Sequence, residues 1–556
     1  MDGLMMDVPL SLPALLRRTE TFFGHKPVVT RRVDRTLERR TYASILTRAR
    51  QLGGGLASLG VKPGDRVATF CWNHSRHLEA YYGVPASGAV LHTLNVRLHP
   101  DELAYIIEHA GDSIIIVDKA LWPAFAPVRE RIAPRPIVTI TEDGEPVEGT
   151  TDYESLIGLG TDAPAFADCD ERAAAVMCYT SGTTGRPKGV LYSHRALVLH
   201  SLTAALGDCM ELRESDTVLA VVPMFHANAW GLPFICAFLG SAQVLPGPHL
   251  DPASVVALLE GERVTFTAGV PTIWHGLLKY LDEHPGHDLS AIHTMLVGGA
   301  AIPEATVRAF DTRHGLRLLH AWGMTETSPL GSVSRIPSEL ASAPPDEQYA
   351  WRATQGRPAP LVEIRARSEQ GLVPWDDATM GELEVRGPWV ASAYYPGDEA
   401  RDRWTEDGWF RTGDIVTISA SGCLTIKDRA KDLVKSGGEW ISTVALETAL
   451  VGHPSVAEAV VVAVPHPLWG ERPLAVIVAN PGAEPTLAEL NEFLSPHFAK
   501  WCLPDAVVCV ENLPRTGTGK YQKNQVRAAF RDYFMPSGTA APGATSLEHG
   551  LHAPGA

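Results

Sequence analysis

Ten consecutive residues, Thr180-Ser181-Gly182-Thr183-Thr184-Gly185-Arg186-Pro187-Lys188-Gly189, concentrate what a chain needs to hold an oxyanion. Their hydroxyls and glycines let side chains and backbone N–H groups wrap a phosphate closely, and Arg186 and Lys188 bring positive charge. That charge is local, because Lys and Arg total 48 against 64 Asp and Glu, a net charge of −16. Such a balance argues against nonspecific binding to nucleic acid or to an anionic membrane surface. ATP is the natural guest of the loop. The Walker A spacing is absent, since the fifth residue after Gly182 is Pro187 and the fifth after Gly185 is Val190, which disfavours an ordinary P-loop kinase or ATPase. The alternative is a surface turn rich in Gly and Thr; the loop's length, its basic residues and the apolar run before it argue against that.

Further blocks follow: His320-Ala321-Trp322-Gly323-Met324-Thr325-Glu326-Thr327, Gly381-Glu382-Leu383, Arg411-Thr412-Gly413-Asp414, Asp428-Arg429-Ala430-Lys431-Asp432, Ser436-Gly437-Gly438-Glu439 and Pro514-Arg515-Thr516-Gly517-Thr518-Gly519-Lys520. With the loop at 180–189, and in this order, they resemble the adenylate-forming superfamily of acyl-CoA synthetases, peptide-synthetase adenylation domains and firefly-type luciferases. The resemblance runs along nearly the whole chain. It implies an enzyme that activates a carboxylic acid as its acyl-adenylate with ATP, then passes the acyl group to coenzyme A.

The resemblance also implies roles, each with a chemical reason. Glu326 is a hard oxygen ligand that, with the Thr180 hydroxyl, would hold the magnesium bridging the ATP phosphates. Asp414 would accept hydrogen bonds from both ribose hydroxyls. Trp322 would stack on adenine, with Gly298, Gly299 and Ala300 as the opposite wall and His320, Ala321, Gly323 and Thr325 lining the same pocket. Arg429, Lys431, Lys435 and Trp440 complete the nucleotide contacts. Lys520 would stabilise the charge gathered when a carboxylate attacks the α-phosphate. A rotation about Asp428 would then withdraw Lys520 and present Lys435, Ser436, Gly437, Gly438 and Glu439 to the thiol-bearing arm of coenzyme A.

The stretch 223–231, Pro-Met-Phe-His-Ala-Asn-Ala-Trp-Gly, resembles the medium- and long-chain fatty acyl-CoA synthetase branch. There a tryptophan matching Trp230 gates the acyl tunnel, and His226 would lie near the reacting carboxylate. Phe225, Ala227, Trp230, Gly231 and Val270 would line the acyl pocket, which favours hydrophobic acids by roughly 0.8 kcal/mol per buried methylene. Ala227 and Gly231 at the gate, and His320-Ala321-Trp322 where many relatives carry a glycine and a tyrosine, leave open a bulky aromatic, branched or polycyclic acid. Adenylation alone, with transfer to a carrier protein or a partner ligase, also stays open. A binding protein that kept the fold and lost the chemistry is disfavoured by Lys520, Glu326 and Lys435 together.

These groups need a scaffold of matching kind. Short apolar runs at 113–117, 174–179, 264–268, 295–297 and 316–319 read as buried strands with helical patterns between them, an α/β fold. Ser193 suits a helix N-cap directly after the loop, with Ala196, Leu199, Leu202 and Leu206 along one face. After about 429 the pattern changes to strands at 459–464, 473–478 and 506–510 with a helix at 487–494. We therefore expect a large N-terminal domain, 1–428, with α/β subdomains, a small mobile α+β domain, 429–535, and a disordered tail, 536–556. The eight cysteines are scattered without zinc or disulfide spacing, which fits a reducing cytoplasm. No segment has the unbroken apolar length of a bilayer span. A homodimer through the N-terminal region is a further expectation from the resemblance.

Overall fold

The structure is a computed structural model that describes residues 3–142, 144–160, 166–180, 186–397, 399–437, 439–515 and 521–534. Expectations on Ser181, Gly182, Thr183, Thr184, Gly185, Gly438 and Lys520, on the Glu439 side chain, and on the tail lie outside the described residues or side chains.

Two large sheets form the first part of the chain. In a seven-stranded sheet, Arg66–Phe70, Val90–Thr93, Asp112–Asp118, Ile137–Ile140 and Ala174–Tyr179 run parallel with helices between most of them. In a nine-stranded sheet, Thr217–Ala220, Ala242–Leu245, Phe266–Gly269, Thr294–Val297 and Leu318–Gly323 run parallel, with antiparallel strands at both edges. Strands covered on both faces read as continuous apolar runs, and Ile114, Ile115, Ile116 and Val117 are accordingly buried. Each expected strand is present, with ends that coincide or shift by at most four residues.

The loop at 180–189 departs from expectation. It is followed not by a helix but by the strand Gly189–Ser193, which pairs antiparallel with Ala174–Tyr179, the strand that precedes the loop. The helix His194–Ala204 comes after it, and its N-cap is Ser193, whose hydroxyl accepts from the Ala196 N–H. Its inward face is also different: Leu202 and Leu206 are exposed, while Leu197, Val198, His200 and Ser201 are buried. The helix is wedged against several elements, so a single leucine stripe does not define what it buries.

An antiparallel sheet of Glu363–Ser368, Gly371–Leu372, Gly381–Arg386, Phe410–Ile418 and Leu424–Arg429 follows. The smaller C-terminal unit is built on Val434–Ser436, Glu439–Ile441, Val456–His466, Gly470–Ala479 and Ala506–Cys509. Its long hairpin divides by strict alternation. Val461, Ala463, Ala475 and Ile477 pack toward the helices Thr443–Val451 and Leu487–Leu494, whereas Val460, Val462, Val464, Leu474 and Val476 pack toward the helix Lys523–Ala529. Among the described residues no helix is long and apolar enough to cross a membrane, and all eight cysteines are free thiols.

Candidate active site

The parallel strands of the nine-stranded sheet end along one edge, the position where open α/β sheets place ligands. From those ends come 221–231, Val270, 298–300 and 324–327. The neighbouring sheet contributes Thr93-Leu94-Asn95 and Thr180 at its own carboxyl ends. Thr93, Leu94, Asn95, Tyr179, Thr180, Phe225 and His226 line one small cavity where the two sets meet.

The segment carrying Trp230 has an uncommon backbone. Ala227, Asn228, Ala229, Trp230 and Gly231 all have positive φ, from 43° to 82°, forming a left-handed turn. For non-glycine residues this conformation costs about 1–2 kcal/mol each, so the surroundings must impose it. Asn228 is fully buried and accepts from the Cys178 thiol at 3.6 Å, while its amide nitrogen is enclosed without a partner among the described residues. The turn aims the half-buried Trp230 ring at Gly298, where a Cβ would stand 3.3 Å from the ring and 3.0 Å from the Ala321 carbonyl oxygen. Gly298 thus gives the indole and the strand Leu318–Gly323 room to approach. Gly299 follows with φ 84°, and the buried His320 has its pKa lowered by burial, opposed by hydrogen bonds from its ring to the backbone at Ala353, Thr354 and Ala300. Val270 precedes the helix Pro271–Glu283.

The base of the hydroxyl-rich loop is closed by Thr180 N–H to the Lys188 carbonyl at 2.9 Å and Lys188 N–H to the Thr180 hydroxyl at 3.2 Å. Three contacts bring Glu326 to this base. The Tyr192 hydroxyl, on the outgoing strand, donates to the Thr325 carbonyl at 2.7 Å; Tyr395 N–H donates to the Gly189 carbonyl at 2.9 Å; and the Lys188 ammonium lies 5.4 Å above the Tyr394 ring. The Tyr394 hydroxyl then donates to Glu326 Oε1 at 2.5 Å, both residues being buried. Burial, then the Glu326 charge, push the Tyr394 phenol well above its usual range, so it stays a donor.

Asp414 lies inside the strand Phe410–Ile418, at a bulge where Thr412, Gly413 and Asp414 face only Leu383. Gly413 takes φ 76°, which re-aims the carboxylate inward. One oxygen accepts from the Trp322 indole N–H at 3.0 Å, and the other meets the Arg429 guanidinium at 2.7 Å. Trp322 is buried in the main core and clamped over Gly331, where a Cβ would fall 2.2 Å from its ring.

Asp428 is buried in the strand Leu424–Arg429 with its side chain bonded to Thr443. Lys431 is exposed with its pKa lowered, chiefly by desolvation. Lys435 is exposed and its ammonium sits 4.6 Å over the Trp440 ring. Ser436 accepts from Arg472 at 3.0 Å, and Gly437, with φ 59°, donates its N–H to the Trp469 carbonyl at 2.9 Å. Tyr394, Tyr192 and Asn228 escaped the sequence reading because a lone tyrosine or asparagine has no spacing that flags it.

Two family models match the chain: AMP-binding enzyme over residues 16–395 and AMP-binding enzyme C-terminal domain over 445–520. The chain is 50% identical to a long-chain-fatty-acid–CoA ligase of Thermus thermophilus over 95% of this chain and 97% of that protein. It is 41% identical to a medium-chain-fatty-acid–CoA ligase of Ectopseudomonas oleovorans over 97% and 100%. The crystal structure of ATP-bound MatB from Rhodopseudomonas palustris superposes with a TM-score of 0.81 over 95% of this chain and 100% of that one, at 27% identity.

Proposed function

The chain belongs to the AMP-binding enzymes and is an AMP-forming acyl-CoA synthetase, and we propose that the acid it activates is a medium- or long-chain fatty acid. ATP and coenzyme A are its co-substrates. The observation that carries the proposal is near-full-length identity to two ligases named for fatty acids. The apolar surroundings of Phe225, Ala227 and Trp230 support it, because each buried methylene contributes about 0.8 kcal/mol.

In the first half-reaction the acid's carboxylate oxygen bonds to the α-phosphorus of ATP as the bond to the pyrophosphate oxygen breaks. The loop 180–189 with Lys188 holds the phosphates, Asp414 the ribose hydroxyls, and Lys520 the charge on the α-phosphoryl oxygens. His226, beside Thr180 in the lining of the same cavity, orients the carboxylate. Glu326 and the Thr180 hydroxyl are hard oxygen donors, a set suited to magnesium rather than to a softer ion, and they would hold a cation that neutralises charge on the phosphates. In the second half-reaction the coenzyme A thiolate attacks the acyl carbonyl carbon and AMP leaves. The small domain, beginning after Asp428, exchanges Lys520 for the segment Lys435–Glu439 between the two steps. Two copies would associate through the N-terminal region, in the cytoplasm.

A panel of acids incubated with ATP and magnesium, with and without coenzyme A, tests this by mass spectrometry of pyrophosphate and thioester. Medium and long fatty acids should outpace acetate and aromatic acids. Preference for an aromatic or polycyclic acid would overturn the substrate class, and pyrophosphate without thioester would point to a carrier protein or partner enzyme as acceptor.

A further inference from the structure

The C-terminal helix Lys523–Ala529 begins three residues after Lys520. It carries Lys523 and Arg527, four residues apart and so on one face. Lys523 reaches the start of the helix that bonds Asp428, and Arg527 reaches Asp432 just past the strand that holds Asp428. The Lys523 ammonium donates to the Thr443 hydroxyl at 2.8 Å and pairs with Glu447 at 2.8 Å, the two charged side chains being only 13% and 14% exposed. Thr443 in turn donates its hydroxyl to Asp428 Oδ2 at 2.6 Å and its N–H to the same oxygen at 2.5 Å. A hydroxyl has one proton, and Asp428 takes it, so the Thr443 oxygen can only accept from Lys523 and the direction of the relay is settled. Four residues past Asp428, Asp432 pairs with Arg527 at 2.6 Å.

The other end of the relay reaches the base of the stretch 516–520. Arg515 and Tyr521, on either side of that stretch, form a β-bridge, with the guanidinium 4.3 Å over the tyrosine ring. Gln522 N–H donates to the Pro514 carbonyl at 2.8 Å and its side chain to the Arg515 carbonyl at 3.1 Å. From these contacts we infer that Lys523, Thr443 and Arg527 are positioning residues that strap the Lys520 segment to the pivot at Asp428, so that the setting of the pivot and the placement of the lysine change together. The inference rests on the proposed roles of Asp428 and Lys520. Desolvation, offset in part by Lys523, pushes the Glu447 carboxyl up to about 7. The same burial raises Asp428. Two acids therefore share one ammonium, and an uncompensated change at Lys523 unfolds the unit as readily as it uncouples it.

Thr443→Val is the sharper variant, since it removes the relay oxygen while keeping shape and the backbone N–H. Acyl-AMP formation from ATP and acid should slow about tenfold in kcat with little change in KM for ATP, since both hydrogen bonds of the hydroxyl, from Lys523 and to Asp428, are lost. Thioester formation from supplied acyl-AMP should change far less, and the melting temperature should fall by only a few degrees, leaving the protein folded at the assay temperature. Arg527→Met should act in the same direction. Equal slowing of both half-reactions, or of neither, overturns the inference. Lys520→Ala is measured beside them: if it slows acyl-AMP formation selectively and Thr443→Val does not, only the strap is wrong. If Lys520→Ala is itself unselective, the underlying roles fall with it.

Discussion

Glu326 is a single carboxylate whose use depends on where its two oxygens point, and the buried Tyr394 hydroxyl at 2.5 Å decides that for one of them. A hydrogen bond from a phenol to an ionised carboxylate in an enclosed site is among the stronger kinds, about 1.5–3 kcal/mol. Under the proposed metal role of Glu326, Tyr394→Phe should leave the fold intact but weaken the apparent affinity for magnesium about tenfold, the usual loss when a ligand's supporting partner goes. Pyrophosphate release titrated with magnesium reads this directly; an unchanged requirement would remove Tyr394 from the site. Nothing in the order Tyr394-Tyr395-Pro396 announces the contact, because its partner is 68 residues away. Asp414 differs: its motif was legible, but not that a bulge aims it or that Trp322 and Arg429 already occupy its oxygens.

At the scale of elements, the left-handed turn 227–231 holds Trp230 against Gly298 and leaves no slack at Gly231. A Cβ there would fall 2.6 Å from His200 Cε1, and His200 is buried, driven down to about 4 by desolvation, with its Nε2 accepting from the Leu330 N–H at 3.3 Å. Gly231→Ala should therefore lower stability by about 2–4 kcal/mol through overpacking and left-handed strain. It should also alter which acids are accepted, because Trp230 must move. Urea unfolding and the acid panel check the two effects. A second element is the edge strand Leu37–Thr41, whose Glu38 meets Arg40, Arg76 and Ser75. Burial opposes ionisation, but the Arg76 charge and the Arg40 bonds outweigh it and hold the Glu38 carboxyl at about 2. Its folded value lies below the unfolded one near 4.5, so its stabilisation is present above 4.5 and is lost as the pH falls toward 2. About 2 kcal/mol should disappear between pH 6 and pH 3, and Glu38→Gln should flatten that part of the stability profile.

Across the whole molecule, the carboxyl ends of two sheets meet at one cavity, and a smaller unit follows beyond position 428. Under the proposed mechanism that unit serves two steps with different residues. Lys520→Ala should therefore slow acyl-AMP formation by at least about 100-fold, the scale of losing a charge stabiliser at the reacting centre. Thioester formation from supplied acyl-AMP should be largely spared. Comparable loss in both steps would contradict the exchange of residues between them.

Local pattern by itself determined much of this protein. Apolar runs covered on both faces can only be buried strands, as at Ala174–Tyr179, and the alternation across Val456–His466 must divide between two faces. The ordered motifs likewise named the chemistry. Tertiary structure decided the rest: that a strand and not a helix follows the loop, that Leu202 faces outward, that Ala-Asn-Ala-Trp coils left-handed, and that Lys523 reaches Asp428 through Thr443. The reason is physical. Covalent neighbours set periodicity, while these features are imposed by groups tens to hundreds of residues away, whose contacts overrule local preference only once the chain is packed.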